Sequence, residues 1–112
     1  MSADNFKVNL SLKEAIEKLD KGIVDGSFTG ERIDYHVVTG NDDNGVIVLV
    51  YEKHYYRAGN RLTLTITVDN MNGFTNIHSI GGGGGDGLFK FDWGASQDFT
   101  SAPRDILENY II

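Results

Sequence analysis

Apolar residues recur at helical spacing near the start of the chain and predict one helix there. They lie three or four residues apart and form a single stripe: Leu12, Ala15, Ile16 and Leu19. Ser11 and Glu14 have the spacing of a capping box, in which each side chain accepts the other residue's backbone amide. We therefore predict a helix near residues 12–21, and we expect Gly22 to end it in a left-handed conformation.

The apolar residues in most of the remaining chain alternate with polar ones, which is typical of half-buried strands. The clearest alternation spans residues 62–68, with leucine, isoleucine and valine on one face and threonine on the other. Similar patterns predict strands at 6–10 and 74–80. A strand at 46–55 is apolar on both faces at its start, which is typical of a central, covered strand.

A further strand begins near residue 32 and has one apolar and one polar face. The apolar face carries Ile33, Tyr35 and Val37, and the polar face carries Arg32, Asp34 and His36. The turns that join the strands are short and polar, at 40–45, 58–60 and 70–73. Short turns join antiparallel neighbours, because parallel strands need long crossovers.

The last quarter of the chain has two interpretations. Phe89, Phe91 and Trp93 share one strand face, yet apolar residues from Leu88 onward also fit a helical stripe. We favour an extended segment to Trp93, then a closing helix within 95–111, with Pro103 in its first turn. Either Thr100 or Ser101 would cap that turn, and Ile106, Leu107 and Tyr110 would form its inner face.

The predicted fold is therefore α+β, a single domain over residues 1–112. It has one antiparallel sheet of about five strands, with two helices packed on one face of the sheet. The order along the chain is strand, helix, four strands, helix.

Composition and charge narrow the classes of function. The net charge is −6, and no cluster of Lys and Arg is present, so we expect no nucleic-acid partner. The longest apolar run, 46–51, is far too short to span a membrane, and the N-terminus lacks the features of a signal peptide. With no cysteine in the chain, these observations favour a cytoplasmic protein, and no motif points to a cofactor.

The most unusual stretch is the glycine run Gly81–Gly85, followed by Asp86 and Gly87. Ordering five consecutive glycines costs roughly 2–5 kcal/mol in lost conformational freedom. The run is therefore either mobile or ordered for a purpose. Successive amides could bind a phosphate or carboxylate, but the run lacks the Gly-Lys-Ser/Thr of a P-loop, and Asp86 would repel an anion. A flexible or tightly turning connector is the stronger interpretation. The candidate ligand-binding residues are Gly82, Gly83, Gly84, Gly85, Asp86 and His78.

Three other groups of residues could form functional sites, and we compare that interpretation with a purely structural one. His36, His54 and His78 lack the short-range spacing of a metal site, so we predict no metal. The loop 41–44 offers oxygen ligands but lacks the EF-hand pattern, so we interpret it as a hairpin turn. Tyr55, Tyr56 and Arg57 follow His54 at a strand end, where exposed side chains of these types would form an interaction site. Alternate members of this group would equally well complete the core.

Val68-Asp69-Asn70, the glycine run and the segment 88–95, which contains Phe-Asp-Trp-Gly, together resemble a family of small bacterial proteins of unknown function. The resemblance covers nearly the whole chain. It implies a compact α+β domain and a fixed glycine-rich turn, but it provides no catalytic residues.

Two hypotheses of function follow. The first is a non-enzymatic interaction module that binds a protein partner through the glycine run and Tyr55–Arg57. A homodimer through a sheet edge is one form of it. The second is a small-ligand or anion-binding protein, or an enzyme, with a site formed by the glycine run, His78 and Asp86. The sequence leaves open whether the protein is an enzyme.

Overall fold

Five strands form one antiparallel sheet, and two helices accompany it. The computed structural model describes residues 3–25, 30–55, 60–83 and 99–112, with the backbone only for residues 54, 55, 60 and 83. The strands are β1 (Asp4–Val8), β2 (Gly30–Gly40), β3 (Gly45–Tyr55), β4 (Asn60–Asp69) and β5 (Thr75–Gly83). Helix α1 is Leu12–Val24, helix α2 covers residues 99–106, and a short 3-10 turn, Glu108–Tyr110, follows it.

The strand order in the sheet is β1-β5-β4-β3-β2. Strands β2 to β5 are consecutive antiparallel neighbours, whereas β1 pairs with β5 at the far side. The first two strands of the chain therefore form the two opposite edges of the sheet, and α1 connects them. The order of elements and the α+β class agree with the sequence prediction.

The core lies on one face of the sheet. Both helices and all strands except β2 contribute fully buried residues to a single cluster. Its largest members are Tyr51, Phe99, Leu12, Leu19, Ile23, Ile47, Leu49, Leu62, Leu64, Ile66, Ile77 and Leu107. Because α1 and α2 share this one cluster, they lie on the same face of the sheet, as predicted.

Helix α1 begins as predicted and ends later than predicted. The Ser11 hydroxyl accepts the Glu14 amide, and the Glu14 carboxylate accepts the Ser11 amide, both at 3.1 Å. These two bonds lower the pKa of Glu14. The prediction that Gly22 ends the helix is wrong, because the helix continues to Val24. A side chain at Gly22 would lie only 2.8–2.9 Å from Ile106 of α2, so glycine there permits close packing of the two helices.

Helix α2 also differs from its prediction at its start. Thr100 and Ser101 are already helical, so neither caps a first turn that contains Pro103, and that prediction is wrong. The Thr100 hydroxyl instead accepts the Gly81 amide at 2.6 Å, and its carbonyl accepts the Ser79 hydroxyl at 2.8 Å. Strand β1 pairs with β5 only as far as Ser79, and beyond Ser79 helix α2 lies beside β5 instead.

The C-terminal residues cover the outer side of β1. The Asn9 amide donates to the Tyr110 carbonyl at 2.9 Å, and the Ile112 amide donates to the Lys7 carbonyl at 3.0 Å. An antiparallel bridge joins Val8 and Ile111 between them. The C-terminal half of this edge is thus covered by the chain itself.

An ion pair fixes α2 to the same strand. Arg104 donates from Nε and Nη2 to the two carboxylate oxygens of Asp4, each at 2.8 Å. Its guanidinium also lies 4.9 Å from the ring centre of Phe6. The hydrogen bonds and charge of Arg104 lower the pKa of Asp4, so the pair is stronger when Asp4 is ionised.

Candidate functional site

Strand β2 forms the opposite edge of the sheet and has no covering segment within residues 3–25, 30–55, 60–83 and 99–112. It is eleven residues long, and every residue from Glu31 to Gly40 is exposed. Four of them are large apolar residues with 38–54% of their surface exposed: Ile33, Tyr35, Val37 and Val38. Among the described residues, only β3 pairs with β2. We name this edge, with its outward-facing backbone and side chains, the β2 edge.

Two irregularities of register lie in β2. Arg32 is opposite Tyr51 and Asp34 is opposite Val50, so Ile33 is an extra residue between them. A second shift separates Val37 from Thr39 and leaves Val38 as the extra residue. Between the two bulges, the segment Asp34–Val37 pairs regularly with β3.

The first bulge changes which face Arg32 occupies. The alternating pattern predicts that Arg32 and Asp34 share a polar face, and this is wrong. Arg32 lies on the face of the buried Tyr51, where its guanidinium bonds the Asp20 carboxylate of α1 at 3.2 Å. The Arg32 guanidinium also lies 5.0 Å from the ring centre of Tyr35. The bulge thus orients the Arg32 side chain towards helix α1.

Asp20 joins β2 and β3 to α1. The hydroxyl of the buried Tyr51 donates to the same Asp20 oxygen that accepts from Arg32, at 3.2 Å in each case. Burial and the nearby negative charge of Asp20 raise the pKa of Tyr51 above its ordinary value of 10.0. A phenol that stays neutral donates a hydrogen bond and does not act as a base. The cluster of Arg32, Tyr51 and Asp20 therefore joins β2 and β3 to α1.

One backbone hydrogen bond of the β2 edge shows the direction in which its amides point. The Tyr35 amide donates to the carboxylate of its neighbour Asp34 at 3.0 Å. The Tyr35 amide therefore points away from β3, because an amide that bonds β3 would be directed at a carbonyl group of that strand. Backbone groups alternate in direction along a strand, so the amide of Val37 points outward as well.

Comparison with known proteins assigns the chain to a family. A family model described as "Family of unknown function (DUF6054)" matches residues 1–111. The chain belongs to DUF6054. This membership confirms the predicted resemblance to a family of unknown function.

Two other comparisons add little. The DUF6054 chain is similar to the solved structure titled "Crystal structure of Ara h 8.0201", over 96% of this chain and 97% of that one. The TM-score is 0.34 and the sequence identity 11%, and a likeness at this level supports no inference. No curated protein matches the DUF6054 chain significantly.

The described part of the glycine run is a strand end. Gly81, Gly82 and Gly83 pair with Leu64, Thr63 and Leu62 of β4. The predicted site residues Gly84, Gly85 and Asp86 lie outside the described residues. The ligand site therefore stays a prediction, with Gly82 and Gly83 placed in an extended backbone.

His78 lies apart from these glycines. It is exposed on the face of the sheet away from the helices and lines a depression of about 240 Å³ with Asn5, Lys7 and Asn76. Gly82 is four residues further along β5, which is about 13 Å in a strand.

The histidines do not converge among the described side chains. His36 is opposite Val48, Val48 is opposite Thr67, and Thr67 is opposite His78. Three strand spacings therefore separate the two histidines, or about 14 Å. His54 is described by its backbone only, and no group of three metal-binding side chains occurs in the described ranges.

The remaining sequence-derived sites lie at the strand ends. Tyr55 is the last residue of β3 and only its backbone is described, while Tyr56 and Arg57 lie outside the described residues. The loop 41–44 is a hairpin turn, as predicted: the Asn41 carboxamide oxygen accepts the amides of Asp43 and Asn44 at 2.9 and 3.0 Å. Neither helix in the described part of the chain has the length and apolar character that a membrane span requires.

The sequence alone predicted the strand β2 but not its position at an edge of the sheet. The sequence pattern of this strand is an alternation of apolar and polar residues, with both signs of charge on the polar face. What it could not show is which strand lies at the edge, because strand order depends on contacts between distant segments.

Proposed function

We propose that this protein is a non-enzymatic interaction module that binds an extended segment of a protein partner along the β2 edge. The observation that carries the proposal is the exposure of ten consecutive residues, Glu31 to Gly40, in an edge strand. A strand added there would form main-chain hydrogen bonds with the outward-facing groups, and side chains would provide the specificity.

The contrast between the two edges supports this proposal. Natural edge strands are usually short, charged or covered, because an open edge can pair with any other chain. β1 has five residues and is covered by the C-terminal segment. β2 has eleven residues and contains no lysine, and four of its large apolar side chains are more than one-third exposed. Although β2 also carries three charged residues and two bulges, the described part of the chain pairs with the β1 edge and leaves β2 exposed.

The attachment of β2 supports it further. Arg32 of β2 bonds Asp20 of α1, and Asp20 also accepts from Tyr51 of β3, so β2 is joined both to the helix and to β3. A fixed edge loses little conformational freedom when a partner strand binds, which favours affinity.

The experiment is a selection of linear peptides from a phage-displayed library, followed by amide exchange of the protein with one synthetic selected peptide. We expect the bound peptide to slow the exchange of the Tyr35 and Val37 amides. Val37→Pro removes one outward amide, and it should weaken binding about five-fold or more, the loss expected for one hydrogen bond. Val37→Ala keeps that amide and serves as the matched control.

Two outcomes would contradict the proposal. One is that selected peptides slow exchange elsewhere, for example at Gly81–Gly83, and leave β2 unchanged. The other is that Val37→Pro binds as tightly as Val37→Ala while its circular dichroism spectrum is that of the wild type.

The cytoplasm stays the proposed compartment, and fractionation of cells that express the chain tests it.

A further inference from the structure

We infer that the strand that binds the β2 edge is β2 of a second copy of this chain, in a two-fold antiparallel pair centred on Tyr35. The inference rests on the proposed function and names its partner. The pair would join two five-stranded sheets into one continuous sheet across the dimer.

The sequence of β2 is self-complementary about Tyr35. With the axis at that residue, Ile33 lies opposite Val37 of the second copy, and Asp34 lies opposite His36. Tyr35 meets its own counterpart, Arg32 lies opposite Val38 and Gly30 opposite Gly40, so the register spans all eleven residues. Directly opposite apolar and opposite-charge pairs stabilise antiparallel strands, and like charges destabilise them.

Neighbouring registers are less favourable. Moving the axis to residue 34 places Asp34 opposite itself and Arg32 opposite His36. Moving it to residue 36 places His36 opposite itself and leaves Asp34 opposite Val38. The register centred on Ile33 also gives two acidic–basic pairs, Arg32 with Asp34, but it pairs only residues 30–36. The register centred on Tyr35 gives two such pairs and extends over the full length of the strand.

The backbone is compatible with this register. Tyr35 would form a hydrogen-bonded pair with its counterpart, for which its amide must point outward, as its bond to Asp34 indicates. The central pairs, Tyr35 with itself and Asp34 with His36, fall in the segment whose register with β3 is unbroken.

The Asp34 carboxylate acts differently in the two states. In the single chain it accepts the Tyr35 amide and so occupies the donor at the centre of the β2 edge. In the dimer the Tyr35 carbonyl of the second copy takes that amide, and Asp34 turns to His36 of that copy. Asp34 and His36 both pair with valines of β3 that face away from the core, so their side chains share one face.

Single-cysteine crosslinking tests the register, since the chain has no cysteine of its own. The Cα atoms of a hydrogen-bonded antiparallel pair are about 5.5 Å apart, which suits a disulfide. We expect Tyr35→Cys to form a disulfide-linked dimer in a glutathione redox buffer. Val37→Cys is the matched control, because its counterpart would lie about 13 Å away along the strand. Mixing Val37→Cys with Ile33→Cys should restore a crosslink.

A charge comparison at His36 provides a second test that does not need an oxidant. His36 is exposed, so His36→Lys and His36→Glu both leave the core unchanged. Lysine would attract Asp34 of the second copy at two symmetric positions, and glutamate would repel it. We expect the dimer dissociation constant, from sedimentation equilibrium, to differ about ten-fold between the two variants.

Each outcome supports or overturns the inference. Efficient crosslinking through Asp34→Cys or His36→Cys but not Tyr35→Cys would overturn the register. Equal dissociation constants for the lysine and glutamate variants would overturn the Asp34–His36 pair. A wild-type chain that stays monomeric at millimolar concentration, yet binds selected peptides at β2, would overturn the dimer and leave the proposed function standing. Absence of strand binding of either kind would overturn both.

Discussion

Replacing Thr100 with valine tests the contact between α2 and the described start of the glycine run. The Thr100 hydroxyl accepts the Gly81 amide at 2.6 Å, and both residues are buried. Valine has nearly the same shape as threonine, so the change opens no cavity and leaves the bond from Ser79 to the Thr100 carbonyl in place. Among the contacts described above, the substitution removes the acceptor for the buried Gly81 amide.

The magnitude follows from the cost of an unpaired buried donor. Leaving such a group unsatisfied costs about 1–3 kcal/mol. The extra methyl group of valine is buried at the same time and offsets up to about 0.8 kcal/mol of that cost. We therefore expect the free energy of unfolding to fall by about 1–2 kcal/mol, and the unfolding temperature to fall by about 4–16 °C.

The assay is urea unfolding followed by circular dichroism, with amide exchange at Gly81 as a local readout. Thr100→Ser is the control, because it keeps the hydroxyl and removes the methyl group. The serine variant should retain slow exchange at Gly81, whereas the valine variant should exchange there much faster. If Thr100→Val is as stable as the wild type and protects Gly81 equally, the Gly81 amide has another acceptor and the reasoning is wrong.

Three further predictions concern the contacts that join the elements. Gly22→Ala should destabilise the wild type, because overpacking against Ile106 costs about 1–3 kcal/mol. In an Ile106→Ala background the same change should stabilise by up to about 1 kcal/mol, the difference in helix propensity, and a thermal-shift comparison of the four proteins measures this reversal of sign. Ser11→Ala should cost about 1 kcal/mol in urea unfolding, and no loss would mean that the capping box contributes nothing. Asp4→Asn should lower stability at pH 7. Because Arg104 holds the pKa of Asp4 below its ordinary value of 3.8, the difference from wild type should shrink as pH falls below about 4, and a difference independent of pH would contradict the ion pair.

Local patterns in the sequence were sufficient to predict most elements of the fold. The period-two alternation of β4 and the capping box at Ser11 each depend on a few neighbouring residues, and both are present in the structure. Short polar turns between strands correctly indicate antiparallel pairing, because connections of three to six residues are too short for a parallel crossover.

The errors arise where a residue's role depends on a distant partner. Gly22 has the local features of a helix stop, but it serves to admit Ile106, which lies more than eighty residues away in the sequence. The alternation through Ile33 continues without interruption in the sequence, whereas the register with β3 requires a bulge there. Neither the packing of α2 nor the pairing of β3 is visible in the local pattern.

The candidate site was the least predictable feature for the same reason. The sequence directs attention to the glycine run, because its composition is unusual. The β2 edge has ordinary composition, and its importance comes from its position in the strand order and from the coverage of the opposite edge by Tyr110 and Ile112. Both depend on tertiary structure.

The central claim is that the β2 edge is an open strand that binds another strand. Residue-resolved amide exchange of the wild-type chain by NMR, at micromolar and at millimolar protein concentration, tests it most directly. The Tyr35 amide bonds Asp34 in the single chain, so the Val37 amide is the decisive probe. We predict rapid exchange of Val37 in the dilute sample and slow exchange in the concentrated one, with the covered amides of Asn9 and Ile112 unaffected by concentration. Slow exchange of Val37 in the dilute sample would contradict the open edge, because that amide would then already have a partner within the single chain.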